Sequence, residues 1–361
     1  MLKRSLFFIL LLASATGAFI FLATQNRQVG VIVERTKFQV REAVQIVNPT
    51  PTLSPAPTSK VLSGGYQTFQ TFNNCGPSSL SMILSYFDVN ISQHELGDQL
   101  RPYQVASGDN DDKSTTLAEM AHKAEELGFA AYYRPNGNEV LLKQFISSGI
   151  PVVARTWLND NDYIGHYRVV KGYDDTRGII IQDDSYQGAN LEFTYEDFNK
   201  LWEAFNYEYL VIVRPEQKST AETIIGENLN DTVAWSNAIE ISNKELSADP
   251  DNYYAIFNMS TAYYHLGMYD KAIEAYVSVA DKLPFRMLWY QIDPILAYQK
   301  TGQYDKVFEI TDQLIQNGNR AFSEAYQIRA EVYEAQGKSN EASVEFEKVY
   351  QYNKNFFKYW K

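Results

Sequence analysis

The sequence predicts an α+β domain followed by an all-α repeat domain, with an apolar segment ahead of both. Between residues 65 and 215, helical patterns come first and strand-like runs come later, which is the order expected of an α+β fold. Residues 252–353 then repeat one helical pattern at a fixed interval, which is typical of a solenoid. The run of residues 5–25 carries no charged side chain and predicts an N-terminal transmembrane helix.

Composition and charge narrow the range of functions. A chain of 361 residues is long enough for two folded units. Its net charge of −12 argues against nucleic acid as a partner, because phosphate backbones are bound by clustered Lys and Arg. Cys75 is the only cysteine, which excludes an internal disulfide and a cysteine-rich zinc site. The histidines are scattered without a ligand pair such as HExxH, so no metal and no cofactor are predicted.

The N-terminal apolar run is long enough to cross a bilayer, since about 20 helical residues span a hydrocarbon core of ~30 Å. Two cations precede it and favour a cytoplasmic N-terminus. We therefore expect residues 1–25 to be a signal anchor in the cell membrane, with the folded domains on the extracytoplasmic side. The alternative is a signal peptide cleaved near residues 13–15, which would make the protein secreted. Residues 26–61 are predicted to be a stalk and a stiff Pro-rich linker.

The first folded domain is predicted to cover residues 62–215. Apolar residues at helical spacing follow Cys75, and glycines at positions 128 and 149 are typical of helix ends. Short apolar runs bounded by turn residues indicate strands. The predicted helices cover residues 77–87, 92–100, 114 or 115 to 127, 138–148 and 194–202. The predicted strands cover residues 66–72, 130–133, 150–157, 167–173, 179–182 and 209–213.

Cys75 lies in the turn Asn-Cys-Gly-Pro, directly ahead of a predicted helix. Pro77 suits the first turn of a helix, where its missing N–H costs nothing. The aligned peptide dipoles at a helix N-terminus favour negative charge and lower the pKa of a thiol. Because the thiolate is the attacking species, this position suits a nucleophilic cysteine.

His166 and a pair of acids follow on two neighbouring predicted strands. His166 begins one strand, and Asp183 and Asp184 end the next. An imidazole held by a carboxylate could keep Cys75 as its thiolate, as in a catalytic triad. The competing interpretation is structural, since a single Cys is often a small buried hydrophobe and adjacent Asp residues often make turns.

The segment from Gln70 to Tyr86 resembles the nucleophile segment of papain-like cysteine peptidases of the bacteriocin-processing branch, peptidase family thirty-nine. Gly165-His166-Tyr167 with the following Val-Val-Lys-Gly-Tyr-Asp resembles the histidine strand of that family. Gln182-Asp183, followed by Ser185, Tyr186 and Gly188, resembles its third segment. The residues that match in the first segment are Gln70, Asn74, Cys75, Gly76, Pro77, Ser79 and Leu80.

The resemblance implies a papain-like fold over residues 62–215 and assigns the roles of the candidate site residues. It implies Cys75 and His166 as the first two members of a Cys-His-Asp triad. Asp183 is the implied third member, with Asp184 as the alternative, because Asp184 stands where the family usually has Pro. Gln70 is the implied oxyanion donor, and Gln67 is a second candidate for that role.

The function implied by the resemblance is that of a membrane-anchored, exported cysteine peptidase that hydrolyses peptide bonds of a peptide or protein substrate. Two alternatives stay open. One is a catalytically inactive peptidase-like scaffold that binds peptides. The other is a transpeptidase, since an amine can intercept a thioester in place of water.

The second domain is predicted to cover residues 216–361. Its glycines Gly267, Gly302 and Gly337 follow one another at intervals of 35 residues, each ahead of an amphipathic helix. This pattern resembles tetratricopeptide repeats, whose period is about 34 residues. Such solenoids leave a concave face that usually holds a peptide or protein, so a protein partner or the substrate is expected there. A rigid spacer is the alternative. The predicted units cover residues 252–284, 285–319 and 320–353, after a leading helix at 235–250.

Overall fold

The computed structural model describes residues 53–101, 103 and 115–359. The predicted signal anchor at residues 1–25 and most of the predicted stalk and linker lie outside the described residues. Within the part of the chain that is described, no helix is both long enough and apolar enough to cross a membrane.

A seven-stranded antiparallel sheet forms the centre of the first domain. Its main path runs in the order β2-β7-β3-β4-β5-β6, and β1 pairs with the far end of β4. Together with the helices that precede and cover the sheet, this arrangement confirms the predicted α+β class. The strands are β1 (Ser59–Val61), β2 (Ala130–Arg134), β3 (Val152–Trp157), β4 (Gly165–Asp174), β5 (Ile179–Asp184), β6 (Gly188–Thr194) and β7 (Tyr209–Val213).

Two sets of helices cover the two faces of this sheet. The helices of the first domain are α1 (Cys75–Ser85), α2 (Gln93–Leu100), α3 (Leu117–Glu126), α4 (Glu139–Ser147) and α5 (Tyr195–Trp202). Helices α1 to α3 pack with Val153 and Val169, whereas α4 and α5 pack with Val152 and Val170. Because successive strand residues point to opposite faces, the two sets lie on opposite sides of the sheet.

The predicted strand at residues 66–72 does not form a sheet strand. Instead, the backbone N–H groups of Tyr66 and Gln70 form single hydrogen bonds with other parts of the chain. The Tyr66 N–H donates to the Ser85 hydroxyl at 3.0 Å, and the Gln70 N–H donates to the Ser185 carbonyl at 2.7 Å. The segment therefore runs between α1 and the end of β5, which brings it to the candidate site.

A helical region follows the sheet and consists largely of antiparallel helix pairs. Its helices are α6 (Lys218–Ile225), α7 (Asp231–Ala248), α8 (Tyr253–His265), α9 (Tyr269–Val277), α10 (Met287–Tyr290), α11 (Asp293–Lys300), α12 (Tyr304–Gln316), α13 (Ser323–Ala335), α14 (Ser339–Tyr352) and α15 (Phe356–Tyr359). Gly267, Gly302 and Gly337 each follow the first helix of a pair, with φ of 70°, 74° and 73°. A residue without Cβ adopts this left-handed conformation readily, which lets the second helix fold back.

The helical region packs against the first domain through a shared core. Trp157 and Phe205 of the first domain cluster with Phe257, Trp289 and Tyr290 of the helical region. Polar contacts surround this core: the Trp157 indole N–H donates to the Tyr254 hydroxyl at 3.1 Å. A Cβ added at Gly165 would lie 2.8 Å from the Tyr290 ring, so the two parts meet closely beside β4.

We expect Gly302→Ala to lower the free energy of unfolding by about 1 kcal/mol, because an L-residue with a Cβ is strained at positive φ. Urea titration followed by circular dichroism measures the change. Gln336→Ala is the control, since Gln336 is the C-cap residue that follows α13 and has φ of −87°. Equal effects of the two substitutions would contradict the backbone explanation.

Candidate active site

Cys75 is the first residue of α1 and is buried, with 6% of its surface exposed. The preceding Asn74 is fixed by its side-chain N–H, which donates to the Thr71 hydroxyl at 2.7 Å. The next residue, Gly76, packs so closely that an added Cβ would lie 1.9 Å from the Thr115 hydroxyl oxygen. The cysteine is therefore held at the positive end of a helix dipole, where a thiolate is favoured.

His166 and Asp184 form a buried hydrogen-bonded pair across two neighbouring strands. The His166 Nε2 lies 3.1 Å from the Asp184 Oδ2, and the two residues are 3% and 0% exposed. His166 is the second residue of β4 and Asp184 is the last residue of β5. Asp184 pairs in register with Arg168, so its side chain shares a face with residues 166 and 168 of β4.

Four donors surround the Asp184 carboxylate. In addition to His166, it accepts hydrogen bonds from the Arg168 Nη1 at 2.6 Å and from the backbone N–H groups of Tyr186 and Gln187 at 2.6 and 2.8 Å. Burial alone would raise the pKa of Asp184. The hydrogen bond and charge of His166 and the charge of Arg168 outweigh burial and lower the pKa to about 2. The carboxylate is therefore ionised throughout the neutral range.

Asp183 points to the other face of the sheet. Its carboxylate oxygens lie 2.6 and 2.8 Å from the Lys171 Nζ, and its Oδ1 accepts a hydrogen bond from the Asn190 N–H at 2.9 Å. Asp183 pairs in register with Val169, whereas Asp184 pairs with Arg168. Adjacent residues of a strand face opposite sides, so only one of the two acids can reach His166. The prediction that Asp183 orients His166 is corrected: its alternative, Asp184, holds that position.

Gln70 lies beside the end of β5. The Ser185 hydroxyl donates to the Gln70 Oε1 at 2.8 Å, which leaves the Nε2 end of the amide for other acceptors. The second candidate donor, Gln67, uses its Nε2 to donate to the Asp184 carbonyl at 2.9 Å. This difference favours Gln70 over Gln67 as an oxyanion donor.

Hydrogen bonds connect the segment around Cys75 to β4 and to the end of β5, the two strands that carry His166 and Asp184. The Ser79 hydroxyl, one helical turn after Cys75, donates to the carbonyl of Tyr167 at 3.3 Å. Tyr167 directly follows His166, and Ser185, which bonds Gln70, directly follows Asp184. The structure thus brings His166 and Asp184 into direct contact, and it ties the Cys75 segment to their strands through these bonds, on the face of the sheet that Tyr167 and Val169 share.

Arg168 is a residue of this site that the sequence analysis missed. It is 0% exposed, and besides Asp184 it donates to the Thr156 hydroxyl and the Gln187 side chain, both at 3.1 Å. A buried Arg is costly unless its charge is paired and its donors are satisfied. The signal in the sequence was an Arg two positions after His166 in an apolar strand, which places both side chains on one face.

Among the described residues, no group of three or more His, Cys, Asp or Glu side chains is arranged to hold a metal ion.

The match to a known family covers the residues that build this site. Residues 60–210 match the model of the Peptidase_C39 like family. No match was found among curated proteins.

Several solved structures are similar to parts of the chain. A structure described as a C39-like peptidase from Bacillus anthracis is 17% identical over 43% of this chain and 98% of its own, with a TM-score of 0.37. The peptidase domain of Streptococcus ComA, a bi-functional ABC transporter involved in a quorum sensing pathway, is 17% identical over 43% of this chain and 98% of its own, with a TM-score of 0.33. MamA is 23% identical over 41% of this chain and 79% of its own, with a TM-score of 0.30.

The identities to these structures are low, and the family assignment depends on the match of residues 60–210. That range contains Cys75, the His166–Asp184 pair and the sheet that positions them. Residues 60–210 therefore form a Peptidase_C39-like domain.

Proposed function

We propose that this protein is a cysteine peptidase in which Cys75 is the nucleophile, His166 the acid and base, and Asp184 the carboxylate that orients His166. The observation that carries the proposal is the buried hydrogen bond of 3.1 Å between His166 and Asp184. It lies in a domain matched to a peptidase family, beside a helix whose first residue is the only cysteine of the chain.

The His–Asp hydrogen bond sets the tautomer that the reaction needs. With Asp184 accepting from Nε2–H, the Nδ1 atom of His166 is the ring nitrogen that takes the thiol proton of Cys75. The resulting thiolate is stabilised by the imidazolium and by the N-terminus of α1. Arg168 and two backbone N–H groups hold Asp184 in place, so the ring of His166 keeps one orientation.

The thiolate attacks the carbonyl carbon of a peptide bond, and a carbon–sulfur bond forms as the carbonyl oxygen becomes negative. The Gln70 Nε2 and the Cys75 backbone N–H stabilise that oxygen. His166 Nδ1–H then protonates the leaving amine as the carbon–nitrogen bond breaks. In the second half, His166 takes a proton from water, which attacks the thioester and releases the acid product and the free thiol.

The helical region is proposed to hold a protein partner or the substrate, because paired helices with a regular interval form an extended surface. The location of the protein is proposed from its sequence: residues 5–25 suit a signal anchor, which would leave the peptidase on the extracytoplasmic side of the cell membrane.

Alkylation by iodoacetamide tests the catalytic cysteine directly, because a single cysteine makes the mass shift specific. We expect the pH midpoint of the alkylation rate to lie well below the ordinary thiol pKa of about 8.5. His166→Ala should raise that midpoint toward 8.5, since the imidazolium partner is lost while the N-terminus of α1 remains. His265→Ala is the control, because His265 lies in the helical region, where it stacks on Trp235.

A midpoint near 8.5 in the wild-type protein, or one unmoved by His166→Ala, would contradict the proposed catalytic pair. It would favour the inactive peptide-binding scaffold. A low midpoint together with ligated rather than hydrolysed peptide products would favour the transpeptidase.

Replacement of each acid in turn distinguishes the roles of Asp183 and Asp184. We expect Asp184→Asn to lower kcat/KM by about 100-fold or more, because His166 loses the acceptor that orients it. Asp183→Asn should change kcat/KM by less than about 10-fold, because Asp183 bonds Lys171 on the other face. The measurement is the initial rate of cleavage of a peptide library, followed by mass spectrometry, with Cys75→Ala as the blank. A larger loss in Asp183→Asn than in Asp184→Asn would be inconsistent with the assignment.

A further inference from the structure

We propose that Glu324 of the helical region is a positioning residue for Cys75 and acts on it through Arg101 and Glu119. This inference rests on the proposed function, since it concerns the nucleophile of that reaction. Glu324 lies on α13, more than 200 residues along the chain from the segment that it would position. A chain of buried contacts runs from Glu324 to the residue beside Cys75.

The first link is a buried ion cluster at the end of α2. The Arg101 Nη2 lies 2.6 Å from the Glu324 Oε1, and its Nε and Nη2 lie 2.8 and 3.1 Å from the two carboxylate oxygens of Glu119. The exposed fractions are 4% for Arg101, 3% for Glu324 and 6% for Glu119. Ion pairs taken out of water in this way are held by good geometry, and removal of Glu324 takes away one of the two carboxylates that fix the Arg101 guanidinium.

The second link is the N-terminal cap of α3. The Glu119 Oε2 that accepts from Arg101 also accepts from the Thr116 N–H at 2.7 Å and from the Thr116 hydroxyl at 2.9 Å. The Thr116 hydroxyl in turn accepts from the Glu119 N–H at 3.2 Å, which completes a capping box. The position of Arg101 therefore influences where α3 begins.

The third link joins the start of α3 to the nucleophile. The Thr115 carbonyl accepts a hydrogen bond from the Tyr167 hydroxyl at 2.7 Å, and Tyr167 follows His166 on β4. The Thr115 hydroxyl oxygen occupies the space that a Cβ at Gly76 would need, at 1.9 Å. Because Gly76 directly follows Cys75, a shift of Thr115 displaces or releases the first turn of α1.

A second contact between the same two parts supports this coupling. The Lys358 Nζ lies 2.7 Å from the Glu126 Oε1 at the far end of α3, and the Asn355 Nδ2 donates to the Gln99 carbonyl at 2.8 Å in α2. Tyr359 of α15 belongs to the same hydrophobic core as Cys75. The helical region thus holds α2 and α3 at more than one point, and a change in its packing reaches Cys75 through them.

The test measures the pH midpoint of Cys75 alkylation by iodoacetamide in the full chain. Glu324→Ala should raise the midpoint by about one pH unit or more, which is a tenfold or greater loss of thiolate at a fixed low pH. Glu324→Gln keeps an oxygen acceptor for Arg101, so its midpoint should rise by about half a unit. Glu331→Ala is the matched control, because Glu331 lies on the same helix and its carboxylate accepts hydrogen bonds from Gln299 and Gln327 of the helical region.

Circular dichroism confirms that each variant is folded at the temperature of the measurement. If Glu324→Ala does not fold, the comparison is made with Glu324→Gln, and an unchanged midpoint in that variant overturns the proposal. An unchanged midpoint in folded Glu324→Ala overturns it as well, and so does an equal shift in Glu331→Ala. A wild-type midpoint near 8.5 instead overturns the proposed peptidase and this inference together.

Discussion

The buried hydrogen bond between His166 and Asp184 is the interaction on which the site depends. Much of the surrounding structure offsets the cost of taking the Asp184 carboxylate out of water. A carboxylate with no exposed surface is stable only when donors replace the lost water. Arg168 and two backbone N–H groups supply those donors, and Arg168 is satisfied in turn by Thr156 and Gln187. The result is an acid that stays charged and lies 3.1 Å from the imidazole of His166.

Aromatic side chains explain how the helical region is held against the sheet domain. Trp157 lies at the centre of their interface, with ring centroids 4.6 Å from Phe205 and 5.7 Å from Tyr290 in edge-on geometry. Edge-on contacts of this kind stabilise more than their buried area alone. Arg155 adds to the interface, since it lies over the Phe205 ring at 4.9 Å and bonds the Tyr290 carbonyl. The two parts therefore share one continuous core beside the strand that carries His166.

The sequence was sufficient where a local pattern determines local structure. It placed Cys75 at a helix start and His166 at a strand start, and the glycines of the repeats lie ahead of helices as their spacing predicted. Prediction from the sequence failed where the direction of a side chain depends on how two neighbouring strands are paired. Asp183 and Asp184 are chemically equal, and only the pairing of β4 with β5 decides which of them faces His166. The ion cluster of Arg101 could not be predicted either, because its partners come from residues far apart in the chain.

The close approach of Tyr290 to Gly165 has an evolutionary consequence. Any side chain at position 165 would push into that ring, 2.8 Å from the added Cβ, and Gly165 directly precedes His166. A relative with a larger residue there must therefore carry a smaller residue at position 290 or a different helix packing. Where both parts are present, residues 165 and 290 must therefore fit one another, and swapping either part between homologues would require repair at this point.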